Sequence, residues 1–182
     1  NPDGFGHVWL GEHNKKTKAQ IFSGKWVIDE FDPGADWEGP YYGLDFGFST
    51  DALAGVKLWI HDNCLFIEHE AFKVGLELDD TPVFLKTKLP GVERHVIRAD
   101  NARPESISYL KRHGIPQIVA CVKGKGSVED GIEFIRTFRQ IVIHRRCEEM
   151  QREARLYSWK VDAKSGGVLP VIVDQFNHGW DA

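Results

Sequence analysis

The sequence predicts an α/β fold: a mixed sheet in which an antiparallel three-strand meander is followed by parallel strands, with helices on both faces. Three observations lead to it. Apolar runs broken by short polar turns fill residues 41–74, and apolar runs then alternate with helical patterns as far as residue 158. The length of 182 residues and mass of 20.7 kDa suit one domain with an appendage rather than two full lobes.

Residues 1–40 carry Gly, Pro, Trp and charge, as in His7-Val-Trp-Leu-Gly-Glu12 and Asp32-Pro-Gly-Ala-Asp-Trp37, and hold no sustained period of 2 or 3.6. They are expected to be a loop-rich lead-in, with the domain running from 41 to 182. Residues 41–48, 53–60 and 64–74 then read as strands, joined by Ser49-Thr50-Asp51 and His61-Asp62-Asn63. Residues 79–88 read as a short helix and His95-Val-Ile-Arg-Ala-Asp100 as a buried strand ending on an acid. Pro104 opens a helix that Gly114 closes, 115–122 is a strand, and 127–138 is a helix with Ser127 as its cap. Residues 140–144 are another strand. Glu148 begins a helix with Met150, Ala154 and Tyr157 on one side. Asp162-Ala-Lys-Ser-Gly-Gly167 reads as a hairpin turn, and Asn177-His-Gly-Trp-Asp-Ala182 as a helix start. Opening on Asn1 without Met and stopping there, the chain reads as an excised piece of a longer protein.

Twenty-three Lys plus Arg against 27 Asp plus Glu give a formal charge of −4, which argues against tight, purely electrostatic binding of a polyanion. Such a partner needs a local patch, metal ions or another domain to hold it. No apolar run approaches the roughly 20 residues that span a bilayer. Three cysteines, Cys64, Cys121 and Cys147, are too few and too far apart for a disulfide framework or a zinc knuckle. His61, Cys64 and His69 have no second ligand pair nearby.

The acids carry the chemistry. Period 2 places Asp45 on the opposite face from Leu44 and Phe46, inside an apolar run, where a carboxylate is costly unless a cation satisfies it. Asp100 ends a second central strand. If the two strands are neighbours, both carboxylates project at one end of the sheet and offer hard oxygen donors to Mg²⁺ or Mn²⁺. His178 and Asp181, three apart on a helix, share a face and reach toward one site. The alternative is ordinary: Asp100 caps a helix or pairs with Arg98 or Arg103, and Asn177 caps the terminal helix, with Asp174 competing for that role. Lys123-Gly-Lys-Gly-Ser127 does not match the phosphate-loop pattern, since no Lys directly precedes Ser127. Lys123 and Lys125 are instead candidates for contact with a phosphate backbone. From Lys123 to Lys160, nine Lys or Arg face six Asp or Glu.

Taken together, Gly43-Leu-Asp-Phe-Gly-Phe-Ser-Thr-Asp-Ala52, Arg98-Ala-Asp-Asn-Ala-Arg-Pro104, Lys123-Gly-Lys-Gly-Ser-Val-Glu-Asp-Gly-Ile132 and Asn177-His-Gly-Trp-Asp-Ala182 resemble, in order and spacing, the nuclease domain of the large terminase subunit of tailed bacteriophages. His7-Val-Trp-Leu-Gly-Glu12 resembles the stretch joining that family's ATPase domain to its nuclease. The resemblance implies an RNase H-like fold and an endonuclease that cuts concatemeric double-stranded DNA during genome packaging. It implies two divalent ions, Mg²⁺ or Mn²⁺, with Asp45 bridging them, Asp100 and Asp181 each completing one, and His178 beside them. It also implies an ATPase domain in the same full-length chain, a portal ring and a small terminase subunit as partners, and action in the host cytoplasm during virus assembly. Glu153 matches a recurrent helix acid of that family. Rival readings are a Holliday-junction resolvase or exonuclease of the same fold, an actin-like ATPase fragment, which the length disfavours, and a non-enzymatic docking module.

Overall fold

Apolar residues on alternate positions of the central strands give both faces of one sheet something to bury, and helices cover each face. In this computed structural model residues 18–47, 51–122, 124 and 126–182 are described. The His7–Glu12 motif, Ser49, Thr50, Lys123 and Lys125 lie outside the described residues.

Seven strands make the sheet in the order β1-β7-β4-β3-β2-β5-β6. They are β1 (Trp26–Asp29), β2 (Glu38–Asp45), β3 (Leu53–His61), β4 (Cys64–Lys73), β5 (Ile97–Ala99), β6 (Ile118–Ala120) and β7 (Gln140–His144). The meander β2-β3-β4 is antiparallel; β5 joins β2, β6 joins β5, β7 joins β4 and β1 joins β7, all in parallel. The helices are α1 (Thr81–Lys88), α2 (Pro104–Arg112), α3 (Ser127–Thr137), α4 (Glu148–Leu156) and α5 (His178–Asp181), and β8 (Trp159–Val161) pairs with β9 (Val168–Ile172) as a separate hairpin.

Two expectations are corrected. The stretch 1–40 is not all lead-in: Trp26–Asp29 forms an edge strand against β7, and β2 begins at Glu38. Four residues without alternation carry no strand signal of their own; the pairing comes from a strand more than a hundred residues later. Ser127 does not cap α3. Gly126 occupies the cap position at φ 86°, where a side chain is disfavoured, and no side chain bonds the free N–H groups.

Period-2 alternation sorts the core in two. On one face Val56, Leu65, Ile67, Ile141 and Ile143 pack with Ile132, Met150, Ala154 and Tyr157, and on the other Tyr42, Leu44, Leu53, Ile97 and Ala99 pack with Leu85, Leu89 and Leu110. Thus α3, α4 and α5 cover the first face, α1 and α2 the second.

A bulge interrupts β4. Lys57 pairs with His69 and Leu58 with Ile67, so Glu68 is the extra residue. Beyond it the alternation restarts. Glu70, paired with Val56, therefore lies on the α4 side with Ile67, while His69 lies with Lys57 on the other.

Candidate active site

The site begins where parallel strands end. Tyr42, Gly43 and Leu44 of β2 pair with Ile97, Arg98 and Ala99 of β5, and the Asp100 N–H donates to the Leu44 carbonyl at 2.9 Å. Asp45 and Asp100 therefore follow in register at the carboxyl ends of neighbouring strands, a usual place for a site in an open α/β sheet. Leu44 faces α1 and α2, so Asp45 projects to the opposite face, where α5 lies.

Two glycines permit that arrangement. A Cβ on Gly43 would run into the backbone carbonyl of Ala182, so only glycine lets the end of α5 rest on β2. A Cβ on Gly179 would strike Met150 Sδ and stand 2.7 Å from Phe72 Cζ, so α5 lies against α4 and β4 with no room for a side chain there. Trp180 completes the seat, its ring 4.5 Å from Phe22.

This docking places His178 Nδ1 3.5 Å from Asp45 Oδ2. Asp181 is one turn further on. Its Oδ2 accepts a hydrogen bond from Asn177 Nδ2 at 2.8 Å, which fixes the carboxylate. Asp181 also borders a hollow of about 250 Å³ with Cys121, at the end of β6, and Ser127, at the start of α3. His178 borders a larger cleft of about 600 Å³ with Lys73, Arg152 and Asp174.

Of the residues expected at the site, the structure brings Asp45 and His178 into contact, sets Asp100 beside Asp45 in strand register, and carries Asp181 on the same short helix as His178. Among the described residues no group of three or more His, Cys, Asp or Glu side chains stands close enough to hold a metal ion. The donors suit a hard divalent cation by chemistry, but their gathering is seen pair by pair. Asp100 also behaves in part as the ordinary alternative supposed, since its Oδ1 accepts the Ala102 N–H at 2.6 Å and closes a turn.

The terminal helix is capped by a residue that local reasoning does not suggest. Asn177 sits at the cap position but makes no capping bond, its amide being turned to Asp181 and Asp174. Glu153 of α4, buried at 4% exposure, accepts the N–H of His178 at 3.1 Å and of Gly179 at 2.9 Å. Burial pushes its carboxyl up to about 7, against the lowering effect of the Gly179 and His178 N–H groups and the nearby His178 ring. Glu70 of β4 does the same for α4, accepting the N–H of Glu149 at 3.0 Å and Met150 at 2.8 Å, and burial raises its carboxyl as well. The available signal for this pair was weak: acids in otherwise apolar patterns, with no cation at helical or strand spacing.

Comparison with known proteins identifies the family and the fold. A profile for the Terminase RNAseH like domain matches residues 45–182. Over 145 residues the chain is 34% identical to the terminase large subunit of Bacillus phage SPP1, covering 77% of this chain and 33% of that protein. The crystal structure of the SPP1 g2p (large terminase) nuclease domain with bound Mn superposes at a TM-score of 0.76 and 30% identity, over 87% of this chain and 93% of that one. The P22 large terminase nuclease domain shares the fold, at a TM-score of 0.70 and 16% identity over 90% and 88% of the two chains. The chain spans about a third of the length of the curated relatives it matches. The mixed sheet is thus the expected RNase H-like one.

Proposed function

The chain belongs to the family of terminase RNase H-like domains, and from that premise we propose that it is the metal-dependent endonuclease of a viral genome-packaging terminase, cutting concatemeric double-stranded DNA by hydrolysis of phosphodiester bonds. The observation that carries the reading is the meeting of His178 with Asp45 at 3.5 Å, beside Asp100 on the next strand. Two motifs far apart in the chain meet there as a pair, and each carries residues of a type suited to hold a divalent cation. The Mn in the SPP1 nuclease domain supports the same choice of ion.

Asp45, Asp100 and Asp181, with His178 beside them, are the residues that would hold Mg²⁺ or Mn²⁺, and we assign them a pair of ions. Bound there, such ions supply Lewis-acid polarisation of the phosphate and a lowered pKa for the attacking water. The protein's part is placement. Gly43 lets α5 lie on β2, which brings His178 to 3.5 Å from Asp45, and Asn177 holds the Asp181 carboxylate in one orientation. No side chain need bond to phosphorus, and water displaces the leaving oxygen directly.

The proposal includes an ATPase domain in the same full-length chain, joined through the lead-in. We extend the proposal to a portal ring and a small terminase subunit as partners and to action in the host cytoplasm during assembly. With a formal charge of −4, the isolated chain is expected to bind DNA weakly and to lose activity steeply with added salt.

Plasmid nicking in Mn²⁺ tests the core of this. Asp45→Ala or Asp100→Asn protein is expected to lose about 10³-fold in rate, or roughly 4 kcal/mol of transition-state stabilisation, with a melting curve like that of wild type. A folded Asp45→Ala protein that nicks at the wild-type rate sinks the reading.

A further inference from the structure

Two acids, half-buried Glu70 and buried Glu153, link the sheet to the site in series. Glu70, placed on the α4 side by the bulge in β4, gives its Oε1 to the Glu149 N–H and its Oε2 to the Met150 N–H, at 3.0 and 2.8 Å. One turn along α4, Glu153 gives its Oε1 to the His178 N–H and its Oε2 to the Gly179 N–H, at 3.1 and 2.9 Å. Each acid takes free N–H groups in the first turn of the next helix, where unpaired donors favour a carboxylate. The second helix is only four residues long and has no side-chain cap of its own. Its direction is thus set from outside, and both candidate ligands on it, His178 and Asp181, take their direction from it.

Resting on the metal-site reading above, we propose that Glu153 is a positioning residue for that site: it holds α5 by its first N–H groups and so aims His178 and Asp181, without touching the metal. Both carboxylate oxygens are occupied by backbone donors, and the packing that excludes a Cβ at Gly179 includes Glu153 Oε2 at 3.1 Å from that point. The acid and the glycine therefore form one fitted contact. Outer groups that orient a metal's ligands change its affinity about 10–100-fold when removed.

The test uses the 182-residue chain as wild type, Glu153→Ala and Glu153→Gln. Hydrogen exchange of the His178 and Gly179 amides is read by NMR without metal, Mn²⁺ affinity by calorimetry, and nicking as separate kcat and KM. In Glu153→Ala both amides should lose protection, Mn²⁺ affinity should fall about 10–100-fold and kcat should fall with KM for DNA near wild type. Glu153→Gln, whose carbonyl still accepts an N–H, should lie between the two; if the Ala protein does not melt cooperatively, the Gln protein decides. Loss of Mn²⁺ affinity with protected amides would make Glu153 a ligand and overturn the proposal. Loss of protection with unchanged affinity, or no change in either, would overturn it too. A wild-type chain that takes up no Mn²⁺ overturns the metal reading itself, and the proposal with it.

Discussion

Glu68 and Glu153 lie on opposite faces of the sheet, both largely hidden from water, and their acidities move in opposite directions. Burial raises Glu68, but hydrogen bonds from the His69 ring, the Lys57 ammonium at 2.9 Å and the Trp59 indole N–H at 2.7 Å outweigh it and take the carboxyl down to about 2. Glu153 meets backbone N–H groups, with the His178 ring near, and burial wins, leaving it at about 7. At Glu153 the two backbone donors do not offset the loss of water, whereas at Glu68 the His69, Lys57 and Trp59 donors together do. The first acid is scaffold, bound into its own face. The second belongs to the helix side that carries His178, where it fixes geometry through backbone N–H groups.

That division can be broken. Glu68→Ala would leave the Lys57 ammonium, 9% exposed, buried without its acid, at a cost of roughly 3–5 kcal/mol. Urea melts should show this loss, while nicking well below the melting temperature stays within about twofold of wild type, as for substitutions remote from a site. Replacing both partners by apolar residues, as in Lys57→Met with Glu68→Leu, should restore much of the stability. If Glu68→Ala instead abolishes nicking in a stable protein, the two faces are not separate in role.

Acid titration sharpens the contrast. Glu68 has a depressed pKa, so its contribution is present above the ordinary 4.5 and disappears as pH falls toward about 2. Glu153 has a raised one. The folded state keeps its proton to about 7 while the unfolded chain releases it near 4.5, so stability falls as pH rises between those values. Each slope is on the order of 3 kcal/mol. Stability measured against pH should lose the acid limb in Glu68→Gln and the slope between 4.5 and 7 in Glu153→Gln. A smaller effect is expected from Gly179→Ala, which forces Met150 and Phe72 aside for roughly 1–3 kcal/mol, the usual range for overpacking. Calorimetric melting would show whether the loss stays in that range.

Much of this molecule could be read from its residues, because alternation and turn chemistry are local. The meander, the β-α order after it, and Asp45 on the face opposite Leu44 all follow from neighbours in the chain. The convergence of Asp45 with His178 was legible as a family pattern, and its cause was not: Gly43 and Gly179 matter because of what packs on them from far away. Likewise β1 exists through β7, and the cap of α5 comes from α4. Ser127 shows the reverse failure, a residue of the right type one position inside the helix whose cap is a glycine. Period and propensity do not report such long-range partners.

The extra residue in β4 acts as a change of phase. Ahead of it Ile67 points toward the helices, and after it Glu70 does so again, an outcome that strict two-residue alternation forbids. Deleting one residue there would invert everything downstream: Glu70 would turn to the Lys57 side and α4 would lose its anchoring acid. The error would then pass by way of Glu153 and α5 to His178, two strands away from the deletion. The residue count of the strand at that point is therefore fixed separately from the identity of the side chain that fills it.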